Sequence, residues 1–159
     1  MMNRKRQIVR RAARGFTLLE MMAVIFIIGL IATLSTLAII DQIQKARVNA
    51  AKAQIATFDQ ALELFQMDNG RYPTQEEGLD ALVHEPADAV DYPPRGYLKL
   101  PEIPRDPWNN DYIYVLRDTE DGQEYAVISY GQGGQQGGEK FAADLVSRGE
   151  NADEWLGGF

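Results

Sequence analysis

The stretch Arg14-Gly15-Phe16-Thr17-Leu18-Leu19-Glu20-Met21 opens the run that decides the fold. Behind it, residues 21–40 read MMAVIFIIGLIATLSTLAII, twenty residues without a charge. Coiled as a helix at 1.5 Å per residue, the run is about 30 Å long, close to the hydrocarbon thickness of a bilayer. One carboxylate, Glu20, stands at its head behind the mostly apolar residues 16–19. Gly15 and a basic leader come before them. Residues 16–40 are therefore expected to form a helix that crosses a membrane.

Charge divides sharply along the 159 residues. The leader holds Arg4, Lys5, Arg6, Arg10, Arg11 and Arg14 and no acid. The remainder has 16 − 6 = 10 Lys and Arg against 23 Asp and Glu, near −13. Basic flanks stay in the cytoplasm, so residues 1–15 are predicted inside and the acidic remainder outside. An acidic outer domain argues against binding nucleic acid through a basic surface. The chain has no cysteine, so an exported domain must hold its loops by packing, hydrogen bonds or a metal rather than by disulfides.

The leader is not an ordinary secretory signal. Such a signal places a small-residue cleavage site after an apolar segment of about 7–15 residues. Here the small residue, Gly15, precedes the apolar run, and no A-x-A pattern follows it. A cut after Gly15 removes the leader and keeps the helix. In this the Gly15-Phe16-Thr17-Leu18-Leu19-Glu20 stretch resembles the class III signal of type IV pilins and type II secretion pseudopilins. The resemblance implies cleavage after Gly15 by an inner-membrane prepilin peptidase and methylation of the new amine of Phe16. It also implies a role for Glu20, five residues into the cut chain. A carboxylate in an apolar helix is costly in lipid. Paired with the amine of a neighbouring subunit, it becomes half of a neutral pair and selects a register.

Beyond residue 40 the helix is predicted to continue to residue 69. Val48, Ala51, Ile55, Phe58, Leu62 and Phe65 recur at spacings of three and four, an apolar stripe that packs one face on a small domain. Asn69-Gly70 is a helix stop. Residues 70–111 are read as loops with one short helix over residues 75–84, opened by a Thr74/Glu77 capping box and ended by Pro86. Residues 112–116 and 124–129 are read as two strands of a hairpin spanning 112–129, with an Asp121-Gly122 turn. Residues 130–159 form a Gly-rich loop and tail. The fold class is α+β: a long N-terminal helix, membrane half then amphipathic half, on a small antiparallel sheet with a C-terminal loop.

The run Arg71-Tyr72-Pro73-Thr74, then Gly78-Leu79, Gly96-Tyr97-Leu98-Lys99 and Asp106-Pro107-Trp108-Asn109 sharpens the resemblance. It is similar to the major pseudopilin family of type II secretion, over residues 14 to about 131. Two departures stand out. Leu37 occupies the place where pilin-like helices commonly carry a proline, so nothing removes a backbone donor there. The Gly-rich loop also lacks the family's Ser-Leu-Gly-Ala-Asp-Gly pattern, in which two acids help bind calcium. An ungapped overlay puts Gly133 and Lys140 in the acids' places. Calcium takes several hard oxygen ligands, so a site near Tyr130, Gly138, Glu139 and Asp144 requires a shifted loop with inward carbonyls of Tyr130 and Gly138. The alternative is a loop held by its own tail through Phe141, Leu145, Trp155, Leu156 and Phe159.

No catalytic constellation is present in the sequence. His84, the only histidine, has no cysteine partners and reads as structural or exposed rather than as a zinc ligand. The resemblance implies a structural subunit that polymerises with its own copies into a periplasmic pseudopilus. Its partners are then prepilin peptidase, minor pseudopilins and an inner-membrane assembly platform, and its task is the export of folded proteins across the outer membrane. The stem acids Asp59 and Glu63 are expected to meet Arg95, Lys99 or Arg105 of a neighbour. A type IV pilin for adhesion or DNA uptake, and a signal-anchored periplasmic binding module that never polymerises, remain as rivals at this stage.

Overall fold

The computed structural model describes residues 15–120, 122–149 and 151–157, with the side chains of residues 34–38 left aside. The basic leader before Gly15, the Leu37 side chain, Asp121 of the hairpin turn and Phe159 of the tail lie outside the described residues. The chain divides into two compact units, Met1–Ile40 and Asp41–Phe159. The first helix, α1 (Leu18–Asn69), begins in the first unit and ends in the second.

In the first unit α1 carries its apolar residues on all sides, with Leu18, Ile25, Phe26 and Ile31 well exposed. Thr33 sits within this surface and donates its hydroxyl back to Gly29 O at 2.9 Å, so the polar group is satisfied inside the helix. The membrane span expected over residues 16–40 includes the five whose side chains are not described. Among the described residues, no helix is long and apolar enough to cross a membrane.

In the second unit α1 buries one stripe: Ala51, Ile55, Phe58, Ala61, Leu62 and Phe65. The helix stops at Asn69 because Gly70 turns left-handed, φ +70°, and returns its N–H to Gln66 O at 2.8 Å. Only glycine takes that conformation at no steric cost. The sheet is three-stranded and antiparallel, in the order β1 (Ile113–Thr119), β2 (Gly122–Ser129) and β3 (Leu145–Val146). Tyr114 pairs with Val127 and Val115 with Ala126 across β1 and β2. Alternation then sends Tyr114, Tyr125 and Val127 into the core with α1. It sends Val115, Ala126 and Ile128 to the opposite face. Phe58 meets Tyr112 edge-on, ring centroids 5.0 Å apart, within the first core.

The opposite face is covered by the tail. A second helix, α2 (Ala152–Leu156), lays Ala152 and Trp155 on it. Leu145 packs partly against the first core and Leu156 partly against the second. Neither β3 nor α2 is anticipated from the sequence: two residues of strand and five of helix are too short to display a period.

The segment 70–112 differs from expectation in one element. The capping box forms, with Glu77 N–H to Thr74 Oγ1 at 3.2 Å and Thr74 N–H to Glu77 Oε2 at 2.7 Å. The short helix expected over residues 75–84 is present only over Gly78–Leu82, as a 3-10 helix. Gly78 has φ +55°, which breaks right-handed winding at the point where an α-helix would propagate. Asp106, buried, organises the turn before β1. Its Oδ1 accepts the Trp108 and Asn110 backbone N–H groups at 3.0 and 2.8 Å, and Ser129 Oγ donates to its Oδ2 at 2.7 Å.

Candidate functional site

Gly15, Phe16 and Glu20 gather at the start of α1. Among the described residues nothing approaches Gly15 where a side chain would project, and Phe16 is 77% exposed. Among those residues the Gly15–Phe16 bond is uncovered. Thr17 heads the helix: its hydroxyl accepts the Glu20 N–H at 3.1 Å, and its own N–H points to Glu20 Oε2 at 3.5 Å. Thr17-x-x-Glu20 is thus a capping box, a role for Glu20 that the sequence reading missed although it recognised the same spacing at Thr74 and Glu77. Further along α1, Met22, Ile25, Phe26, Gly29, Leu30 and Thr33 line one apolar hollow, with Gly29 leaving a gap at its centre. A second helix can approach closely at such a gap.

The stem acids are placed differently from one another. Glu63 is taken within its own chain: Arg148 Nη2 pairs with its Oε1, and the Tyr72 and Tyr125 hydroxyls lie 3.3 and 3.1 Å from it. Arg105 likewise pairs with Asp111 at 3.1 Å. Arg95 and Lys99 are exposed. Asp59 lies in a cleft with Lys52, Asp144 and Ser147. Burial pushes its carboxyl pKa up, against the lowering effect of the Ser147 hydroxyl and the Arg148 charge. Burial also raises the Tyr125 hydroxyl, which stays protonated at neutral pH. His84 is exposed and lies 2.9 Å from Asp80 Oδ1.

The Gly-rich loop, where the family pattern would place calcium, is built from two arms in backbone contact. A Cβ at Gly131 would fall 2.8 Å from Ala143 O, and one at Gly138 only 2.4 Å from Ala142 O. At Gly133, the place of the first expected acid, a Cβ would lie 3.3 Å from the same Ala142 carbonyl. Lys140, at the place of the second, has φ +56° and contributes a cation. The Tyr130 carbonyl accepts the Gly134 N–H at 3.3 Å, and the Glu139 carbonyl accepts that of Ala142 at 3.0 Å. Asp144 accepts the Gly137 N–H through Oδ2 at 2.8 Å, while its Oδ1 is buried and, among the described residues, lacks a hydrogen-bond partner. Among the described residues, no three His, Asp or Glu side chains gather to hold a metal ion. One orphan oxygen does not supply the six to eight that calcium takes. Tyr130, Gly138, Glu139 and Asp144 share a loop, but their donor set does not fit calcium.

Comparison with known proteins agrees with this architecture. The family model described as type II secretion system, protein G, matches residues 38–148. The chain belongs to the type II secretion system protein G family. The model of the prokaryotic N-terminal methylation motif matches residues 10–36, the span that contains Gly15, Phe16 and Glu20. The chain is 37% identical over 137 residues to the type II secretion system core protein G of Vibrio cholerae, covering 85% of this chain and 91% of that one. It is 40% identical over 129 residues to the core protein G of Escherichia coli K12, covering 79% and 86%. The crystal structure of the major pseudopilin from the type 2 secretion system of enterohaemorrhagic Escherichia coli superposes with a TM-score of 0.54 at 28% identity, over 67% of this chain and 87% of that one. The fold is pilin-like, and the protein G family is one of structural pseudopilins rather than enzymes. The methylation motif and the family together imply a membrane-anchored periplasmic protein.

Proposed function

We propose that this chain is the major subunit of a periplasmic pseudopilus. Prepilin peptidase cuts it after Gly15, and the amine of Phe16 is methylated. Residues 16–40 anchor it by a single pass in the inner membrane, leader inside and acidic domain outside, as the charge asymmetry favours. Copies then leave the bilayer and stack. Close packing of the exposed apolar face around Gly29 holds the helices together in lipid, and apolar surface that would otherwise face water outside the bilayer adds about 25 cal/mol per Å² buried. Glu20 of one copy meets the Phe16 amine of the next. The growing filament, with minor pseudopilins at its tip and an inner-membrane platform at its base, pushes folded proteins through an outer-membrane channel.

The observation that carries this reading is the Gly15–Phe16 bond set directly against a capped helix whose apolar face, among the described residues, is exposed. Intact-mass spectrometry of the protein extracted from native membranes tests it. The expected mass lacks residues 1–15 and gains one methyl group. A full-length mass would remove the basis for assembly and leave a signal-anchored periplasmic module. Long surface fibres in cells without a secretion phenotype would point to a type IV pilin.

A further inference from the structure

We propose that the tail of this chain is fastened by its own side chains in place of a metal ion in the Gly-rich loop, with Arg148 as the clasp between tail and stem. The observations come from three sides of the same loop. The first is the close approach of its arms: glycines at 131, 133 and 138 let residues 130–138 lie against the carbonyls of residues 141–143. The second is the way each arm is tied. Asp144 Oδ2 accepts the Gly137 N–H, Gln136 Nε2 donates to Asp153 Oδ1 at 2.7 Å, and Asn110 Nδ2 donates to Gly131 O at 2.9 Å. Through Asn110 the loop is joined to the buried Asp106 and so to β2.

The third is Arg148. Its guanidinium stands over the Tyr125 ring, 4.2 Å from the centroid, donates to the Tyr125 hydroxyl at 3.0 Å, and pairs with Glu63 on α1. Its carbonyl accepts the Trp155 indole N–H at 2.8 Å. Arg117 of β1 stacks on the Trp155 ring, 5.0 Å from the centroid, and donates to the Trp155 carbonyl. One residue thus joins stem, sheet and tail, and it brings a positive charge to an acidic stem. A loop-bound divalent cation would bring positive charge from outside the chain. An arginine over an aromatic ring, with a carboxylate in its plane, combines stacking and a charge-assisted hydrogen bond. The Arg148 and Glu63 side chains are 43% and 46% exposed, so the pair alone is weak. The clasp acts as a network: Glu63 also lies within reach of the Tyr72 and Tyr125 hydroxyls at 3.3 and 3.1 Å, so its loss loosens both Arg148 and Tyr125, and the Arg148 carbonyl holds Trp155.

The test is limited trypsinolysis of the processed full chain in detergent micelles, reading cleavage after residues 140 and 148 by mass spectrometry. It is run in EDTA and again in millimolar calcium. Cleavage is expected at the same rate in both buffers, since a ligand that does not bind the folded state does not shift its opening equilibrium. Glu63→Ala is expected to hasten tail cleavage about fivefold in both buffers, the factor for roughly one lost hydrogen-bonded contact. If Glu63→Ala fails to fold, Arg148→Lys takes its place. It keeps a tryptic site and the charge but loses the planar stack, and the same acceleration is expected. Faster cleavage in EDTA that calcium reverses would overturn the proposal in favour of a metal-held loop. So would a substituted chain cleaved at the parent rate.

Discussion

Arg71 holds the Glu77 carboxylate with two hydrogen bonds, Nη1 to Oε2 at 2.7 Å and Nη2 to Oε1 at 3.0 Å. Both side chains are about three-quarters buried, and Glu77 also closes the capping box with Thr74. The Arg71 hydrogen bonds, aided by the Thr74 N–H and opposed by burial, lower the Glu77 pKa from the ordinary 4.5 to about 2. A carboxyl whose folded pKa is depressed adds stability above its unfolded pKa and loses it as the pH falls through the folded one. The contribution is therefore full above about pH 5 and gone near pH 2. Glu77→Gln is expected to cost about 1–3 kcal/mol at pH 7, after allowance for solvent screening, and almost nothing at pH 2. Thermal melts of parent and variant across pH 2–7 check this, and parallel curves would exclude it.

Asp59 carries the opposite sign. Its pKa is raised by burial, so what it contributes is present below its unfolded value and fades as the pH rises through the folded one. At pH 8 it is an ionised group in a cleft, with Oδ1 buried and, among the described residues, lacking a hydrogen-bond partner. Asp59→Asn is expected to raise the melting temperature at pH 8 and leave it unchanged at pH 3. Calorimetry at the two pH values decides, and a fall at pH 8 would mean that the charge is needed to face Arg148.

Gly96 and Gly70 share a left-handed backbone, φ +66° and +70°, but not their surroundings. A Cβ at Gly70 meets nothing within 4 Å, whereas one at Gly96 falls 2.8 Å from Leu82 O. That carbonyl accepts both the Tyr97 and Leu98 N–H groups, at 2.8 and 3.2 Å, so it has no freedom to move away. Gly70→Ala is expected to cost about 1 kcal/mol, the price of the conformation alone. Gly96→Ala should cost about 2–4 kcal/mol through strain and overlap together. Urea unfolding of the two variants separates conformation from contact.

Leu62 and Leu64 lie two residues apart on α1 and face opposite ways. Leu62 is fully buried and Leu64 is 50% exposed. Leu62→Ala is expected to destabilise by about 2–5 kcal/mol, because a cavity remains in a core already filled by Phe58, Phe65 and Tyr125. Leu64→Ala should stay within about 0.5 kcal/mol in the same unfolding assay. A large loss of filament yield with unchanged stability would instead assign Leu64 to an interface between copies.

How much of this was readable beforehand follows from the range of each signal. The stem stripe from Ala51 to Phe65 is a local period, and so is the alternation that sends Tyr114 and Val115 to opposite faces. Both are legible in one sequence. Gly78 was visible too, but not that it would sit at φ +55° and hold the turn to a 3-10 helix. Arg148 and Glu63 are 85 residues apart, and no local pattern announces a pairing across that distance. β3 could be placed only once Ile128 and Ser129 offered it an edge. Resemblance to a family raised the question of a calcium loop, and the sequence already showed Gly133 and Lys140 in the acids' places. What it could not show is that the glycines bring backbone carbonyls of the facing arm into that space.

The Thr17–Glu20 cap bears on how firmly copies hold one another. A cut after Gly15 leaves an ammonium one residue before the cap, at the positive end of the helix macrodipole, where a cation is unfavourable. Glu20 is the acid in that first turn, and its hydrogen bond to the Thr17 N–H is long, 3.5 Å. In the proposed assembly, a neighbour's amine that draws Glu20 away competes with the cap and with the chain's own ammonium. The net gain is a difference between two similar partners rather than the whole energy of an ion pair. In the proposed filament an exchange of this kind sets register while adding little free energy of its own, and the apolar faces of the helices supply the rest.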